Sequence, residues 1–163
     1  MKNIYLCGFM GCGKSHIGCM LSEKLNCTLV DLDAYIEEKE GKTIPEIFAD
    51  EGEPHFRSLE EKYIREMPLN SVVATGGGAV INPVTAESAR NAGTLVFIDA
   101  DFEVCYDRIK GDAHRPLVVK NTKEQLEALF NTRREIYLKH SDFSVNGNLT
   151  DTEITDAILK GLK

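Results

Sequence analysis

The chain has 163 residues, 42% hydrophobic and 28% charged, which suits one compact domain with its own core. A net charge of −7 disfavours nucleic acid or a membrane surface as partner, because both select basic patches. No apolar run approaches the roughly 20 residues of a membrane helix, no leader pattern opens the chain, and five cysteines without a C-x-x-C pair fit a reducing cytoplasm better than a disulfide or zinc framework.

The first apolar run, Ile4 to Cys7, reads as a strand. It leads into Gly8-Phe9-Met10-Gly11-Cys12-Gly13-Lys14-Ser15, a full match to G-x-x-x-x-G-K-[ST]. Glycines let the backbone curl so that successive amides point at a polyphosphate near the start of a helix, here Lys14 to Leu25. Gly11, Cys12, Gly13, Lys14, Ser15 and the His16 backbone are therefore the expected ATP contacts. Lys14 reaches the β- and γ-phosphates, and Ser15 ligates Mg²⁺. Cys12 is either a small residue that fits the loop or a thiol activated by its basic surroundings.

A second strand, Leu29 to Leu32, carries Asp31 and Asp33. Strand alternation puts both carboxylates on one face. One would hold Mg²⁺ through water, and the other would accept a hydrogen bond from an acceptor hydroxyl. Asp33 is also expected to cap a helix beginning at Ala34. Helices follow at Pro54 to Met67 and Pro83 to Ala92, flanking a strand at Val72 to Thr75 that ends in Gly76-Gly77-Gly78. Then come a strand at Leu95 to Ile98, a helix at Phe102 to Lys110, and a loop, Gly111 to Lys120. A long helix at Lys123 to Lys139, a strand at Phe143 to Val145 and a helix at Thr152 to Leu162 complete the pattern. Strands alternating with helices imply a parallel sheet covered on both faces, an α/β/α arrangement of three layers. In such sheets ligands bind beyond the carboxyl ends of the strands, where the first three strands each end in a chemically loaded segment.

Taken in order, "GFMGCGKS", "DLDAYIEEKEGKTIPEIFADEGEPHFRSLE", "TGGGAV", "HRPLV" and "RREIYLKHSDFSV" resemble the successive motifs of the shikimate kinase family. The resemblance implies a P-loop kinase fold like that of nucleoside monophosphate kinases, with five strands in the order 2-3-1-4-5. It implies a single domain over residues 1–163, with a substrate-binding region near 32–60 and a lid near 111–120. The implied reaction is Mg²⁺- and ATP-dependent phosphorylation of the 3-hydroxyl of shikimate, on the way to chorismate and aromatic amino acids. By the same resemblance Lys14, Asp33 and Arg115 are catalytic, and Asp33, Arg57, Gly77 and Arg133 bind shikimate. Arg108 and Arg115 contact ATP, while Ser15 and Asp31 serve the metal.

A small carboxylate with hydroxyls suits arginine forks, and Glu60, one turn beyond Arg57, can brace that arginine. Two departures stand out. His16 replaces the family's usual threonine, and Arg133-Arg134-Glu135-Ile136-Tyr137 lacks the usual proline, so its helix is free to run on. Arg133 keeps the spacing to Tyr137 and is preferred over Arg134. Asn146 to Asn148 are candidate adenine contacts. A kinase for gluconate or a nucleoside monophosphate is the nearest alternative. A GTP switch would need an N-K-x-D stretch, which is absent, and an inactive homologue would not need Lys14, Ser15, Asp31, Asp33 and Arg115 together. The chain is expected to act as a monomer.

Overall fold

Val/Ile/Leu-rich segments too short for helices pair into a five-stranded parallel sheet in the computed structural model, which describes residues 1–163. The strands are β1 (Asn3–Cys7), β2 (Thr28–Asp31), β3 (Ser71–Ala74), β4 (Gly93–Asp99) and β5 (Phe143–Asn146). Their order is β2-β3-β1-β4-β5, as the resemblance implied. Register places Tyr5 beside Val73 and Leu95, and Val96 beside Phe143. The central strand is the most deeply buried: Tyr5, Leu6 and Cys7 are fully enclosed.

Nine helices surround the sheet: α1 (Lys14–Leu25), α2 (Leu32–Glu40), α3 (Ile44–Glu51), α4 (Glu53–Ile64), α5 (Pro83–Ala92), α6 (Phe102–Ile109), α7 (Pro116–Lys120), α8 (Lys123–His140) and α9 (Asp151–Gly161). α1 and α9 pack together against the sheet, while α5 and α8 pack on β4 and on each other. Capping boxes start α8, at Thr122 with Gln125, and α9, at Thr150 with Glu153. α8 runs without a break through Arg133 and Tyr137, as its missing proline allows.

Three expectations need correction. The second strand stops at Asp31 and α2 begins at once with Leu32, so strand alternation does not extend to Asp33. Asp31, not Asp33, caps that helix: its Oδ1 accepts from the Ala34 amide at 3.1 Å. The segment from Gly111 to Lys120 is not wholly loop, because Pro116 sits at the start of the short helix α7. A further helix, α3, lies where none was expected. Thr43 caps it by accepting from the Glu46 amide, and Gly52, at φ 85°, separates it from α4.

The three chemically loaded strand ends lie side by side because β2, β3 and β1 are neighbours. Thr75 ties two of them together: both its amide and its hydroxyl donate to the Leu6 carbonyl, at 3.0 and 2.8 Å. The triple glycine is thereby anchored next to the phosphate loop.

Candidate active site

The loop after β1 reaches α1 through Gly13, which has φ 99° and no side-chain cap. That left-handed geometry favours glycine, and the first amides of α1 receive no side-chain acceptor. Lys14 folds back over its own loop, donating from Nζ to the carbonyls of Gly8 at 2.6 Å and Phe9 at 3.2 Å. Arg108 reaches in from α6 and donates to the Gly11 carbonyl at 2.8 Å. A cavity of about 490 Å³ opens here, lined by Gly11, Gly13, Lys14, Ser15, His16, Arg108, Arg115 and Asp151. Its cations, Lys14, Arg108 and Arg115, supply the local positive charge that an acidic protein needs to hold a triphosphate.

Cys12 does not line this cavity. Its side chain is buried beneath the loop and its amide donates to Phe9 O at 3.1 Å, which leaves that N–H engaged. His16 projects outward, with Nε2 3.0 Å from a carboxylate oxygen of Asp151 at the start of α9.

A second cavity, of about 480 Å³, lies beyond β2 and β3 under α2, α3 and α4. It brings together Asp33, Arg57, Gly77 and Arg133, all expected from sequence, and adds Met10, Glu53, Glu60, His114 and Lys120. Each glycine of the triple-glycine loop is approached by a different polar side chain. A Cβ on Gly76 would lie 2.7 Å from Asp33 Oδ1, one on Gly77 3.5 Å from Arg133 Nη1, and one on Gly78 2.5 Å from Arg57 Nη1. The absence of side chains lets three functional groups crowd one turn of backbone. Tyr137 holds this turn from the other side by donating to the Gly77 carbonyl.

The ionic arrangement is graded. Arg57 Nη1 donates to Glu60 Oε1 at 2.6 Å and Nη2 to Glu53 Oε1 at 3.4 Å. Asp33 is largely enclosed and its Oδ1 has no hydrogen-bond partner. Burial, with the adjacent Asp31 charge, pushes its carboxyl up to about 6 against the pull of Lys14 and Arg57. Burial likewise pushes Glu60 up to about 7, although Arg57 opposes it.

Arg133 and Arg134 diverge completely. Arg133 lines the cavity with Asp33, whereas Arg134 makes a two-pronged pair with Asp99, Nε to Oδ1 at 3.0 Å and Nη2 to Oδ2 at 2.8 Å. Arg134 lines a separate hollow beside Asn146 and Asn148. The candidate adenine contacts Asn146 and Asn148 therefore lie outside the cavity that holds Lys14 and Arg108.

Arg115, the residue preceding α7, lines both cavities. Its Nε pairs with Asp112 at 3.1 Å within the same segment. For a divalent ion Ser15 offers its hydroxyl inside the phosphate cavity, while Asp31 lines neither cavity and has one carboxylate oxygen not engaged by its cap. These few oxygen donors are compatible with Mg²⁺, which keeps much of its shell as water and phosphate oxygen.

Sequence reading missed Glu53, Lys120 and His114 as cavity residues. Glu53 carried a signal, since it stands four residues before Arg57 on one helix face. Lys120 and His114 carried none, because only the path of residues 111–120 brings them in.

The chain is similar to known proteins over most of its length. The sequence model of the shikimate kinase family matches residues 10–163. A curated shikimate kinase from Sulfurihydrogenibium sp. is 41% identical over 166 aligned positions, covering 100% of this chain and 99% of that one. The structure of shikimate kinase from Acinetobacter baumannii, in complex with shikimate, superposes with a TM-score of 0.91 at 34% identity, covering 98% of this chain and 92% of that one. A gluconokinase from Sinorhizobium meliloti shares the fold alone, at TM-score 0.60 and 18% identity over 99% and 91% of the two chains.

Proposed function

The chain belongs to the shikimate kinase family, and on that premise we propose how its two cavities divide the ATP-dependent phosphorylation of the shikimate 3-hydroxyl. The observation that carries the reading is Arg115, shared between a cationic cavity at the phosphate loop and an arginine-bearing cavity containing Asp33.

ATP lies with its phosphates against the first amides of α1. Lys14 exchanges the Gly8 and Phe9 carbonyls for the β- and γ-phosphate oxygens, so the lysine is stored in place before nucleotide arrives. Arg108 lies along the same phosphates. Ser15 and Asp31 would hold Mg²⁺, which would supply neutralisation of phosphate charge.

Shikimate enters the second cavity with its carboxylate toward Arg57 and Arg133, whose planar forks each offer paired donors. Glu60 and Glu53 fix Arg57 from behind. The Gly77 turn gives the ring a flat backbone wall. Asp33 accepts a hydrogen bond from the 3-hydroxyl, aligns its oxygen with the terminal phosphorus, and takes the proton as the phosphoryl group moves. Charge builds on the oxygens of that group in transit, and Arg115 stands at the junction to meet it once it leaves Asp112. Residues 111–120 close over both cavities and exclude water, which would otherwise compete as acceptor.

The test is a coupled assay of ADP release with shikimate, gluconate or AMP as acceptor, and with GTP in place of ATP. ADP release dependent on shikimate, with gluconate and AMP inert, is the expected result. Turnover of gluconate at a comparable kcat/KM would overturn the assignment of the acceptor.

A further inference from the structure

Glu60 is the most deeply enclosed ionisable group of the acceptor cavity, at 1% exposure. One oxygen, Oε1, accepts from Arg57 at 2.6 Å, while the other, Oε2, is buried without any partner. A carboxylate oxygen out of water with no donor is costly, and the cost falls if that oxygen carries a proton, because a neutral acid is cheaper to bury than a charge. The surrounding charge is finely balanced. Acid groups lining the cavity are Asp33 and Glu37 from α2 and Glu53 and Glu60 from α4; opposing them are Arg57 from α4, Arg133 from α8, and Arg115, Lys120 and His114 from the lid. Only Arg57 donates to Glu60.

We propose that Glu60 is a proton-linked positioning residue: binding of an acid acceptor drives a proton from solvent onto Glu60 Oε2, so that the carboxylate of shikimate and the neutral acid of Glu60 share the Arg57 guanidinium. The inference rests on the reading in which Arg57 and Arg133 hold the acceptor's carboxylate. An incoming anion on those two arginines removes the field that keeps Glu60 ionised, since Arg57 and Arg133 are the groups that favour its charged form. The ligand-free group already lies near 7, raised by burial, so a modest further push suffices at neutral pH. Protonation leaves Oε1 as the Arg57 acceptor and turns Oε2 into a donor facing the cavity. The site then favours an anion with a hydrogen-bond acceptor nearby, and shikimate affinity falls as pH rises above about 7, by up to about tenfold per pH unit, until the ligand-bound group also ionises.

Titration calorimetry of shikimate into the enzyme at pH 7.5, repeated in buffers of different ionisation enthalpy, counts the protons directly. Uptake of about half a proton or more per shikimate is expected. Glu60→Gln, which keeps an oxygen for Arg57, is expected to bind shikimate with uptake near zero. Zero uptake by the natural enzyme, or undiminished uptake by Glu60→Gln, overturns the inference. Should the variant not fold, the infrared difference spectrum of the natural enzyme decides: a protonated-carboxyl stretch gained on shikimate binding supports it, and its absence refutes it. Shikimate that fails to bind at all would overturn the reading beneath, and this inference with it.

Discussion

Arg133 and Arg134 are neighbours in sequence and part company in space, because successive helical residues point about 100° apart. Arg134 is committed to Asp99, while Arg133 faces the acceptor cavity. Arg133→Ala should raise the shikimate KM by at least tenfold and Arg134→Ala by less than threefold, which steady-state kinetics will show. Gly78 is equally specific. A Cβ there would meet the Arg57 guanidinium, so Gly78→Ala should push that group off Glu60, weaken shikimate binding and lower the melting temperature modestly. A large loss of stability with normal KM would contradict that placement.

Asp33 is held in the fold at a cost in stability. Its folded value, about 6, exceeds its ordinary value of 3.8, so the unfolded chain releases this proton first. Stability therefore falls as pH rises through that interval and stays lowered above it. In metal-free buffer, Asp33→Asn should gain on the order of 2 kcal/mol relative to the natural chain at pH 8 and almost nothing at pH 4, while losing activity. Urea midpoints at the two pH values measure it, and a variant less stable at both would refute it.

Among the elements, β1 with its glycine loop and α1 were plain in the sequence, because the loop pattern and the apolar strand before it are strictly local signals. The junction of β2 with α2 was not. Val30-Asp31-Leu32-Asp33 alternates like a strand, but Leu32 is buried as the first residue of α2 and Asp31 supplies the cap. The pattern is two-sided at such a boundary, and tertiary packing decides it. α3 carried a legible start in Thr43-Ile44-Pro45-Glu46, with a capping threonine and an early proline. The lid helix α7 has five residues, too few for periodicity to register. The choice of Arg133 followed from spacing to Tyr137, but the partner that removes Arg134, Asp99, lies 35 positions away and is visible only in the fold. The capping role of Asp31 and the metal role proposed for it can be separated by substitution. Asp31→Asn keeps a good N-cap and drops the charge, so it should raise the Mg²⁺ concentration needed for half-maximal rate without lowering the melting temperature. Asp31→Ala should do both, costing about 1 kcal/mol of stability. Equal Mg²⁺ dependence in Asp31→Asn and the natural enzyme would remove Asp31 from the metal.

At the scale of the whole molecule, the strand order accounts for the chemistry. β1 lies between β3 and β4, so the phosphate loop opens at the carboxyl edge beside the triple glycine and the start of α2. The cavity at the phosphate loop and the cavity that holds Asp33 both have Arg115 in their lining. The central claim is that Asp33 and the two arginines present one hydroxyl, and no other, to the terminal phosphorus. Phosphorus–proton correlation NMR of the product made from ATP and shikimate tests it most directly. The account predicts a phosphate coupled to the proton on carbon 3 alone; coupling to the protons on carbon 4 or carbon 5 would contradict it.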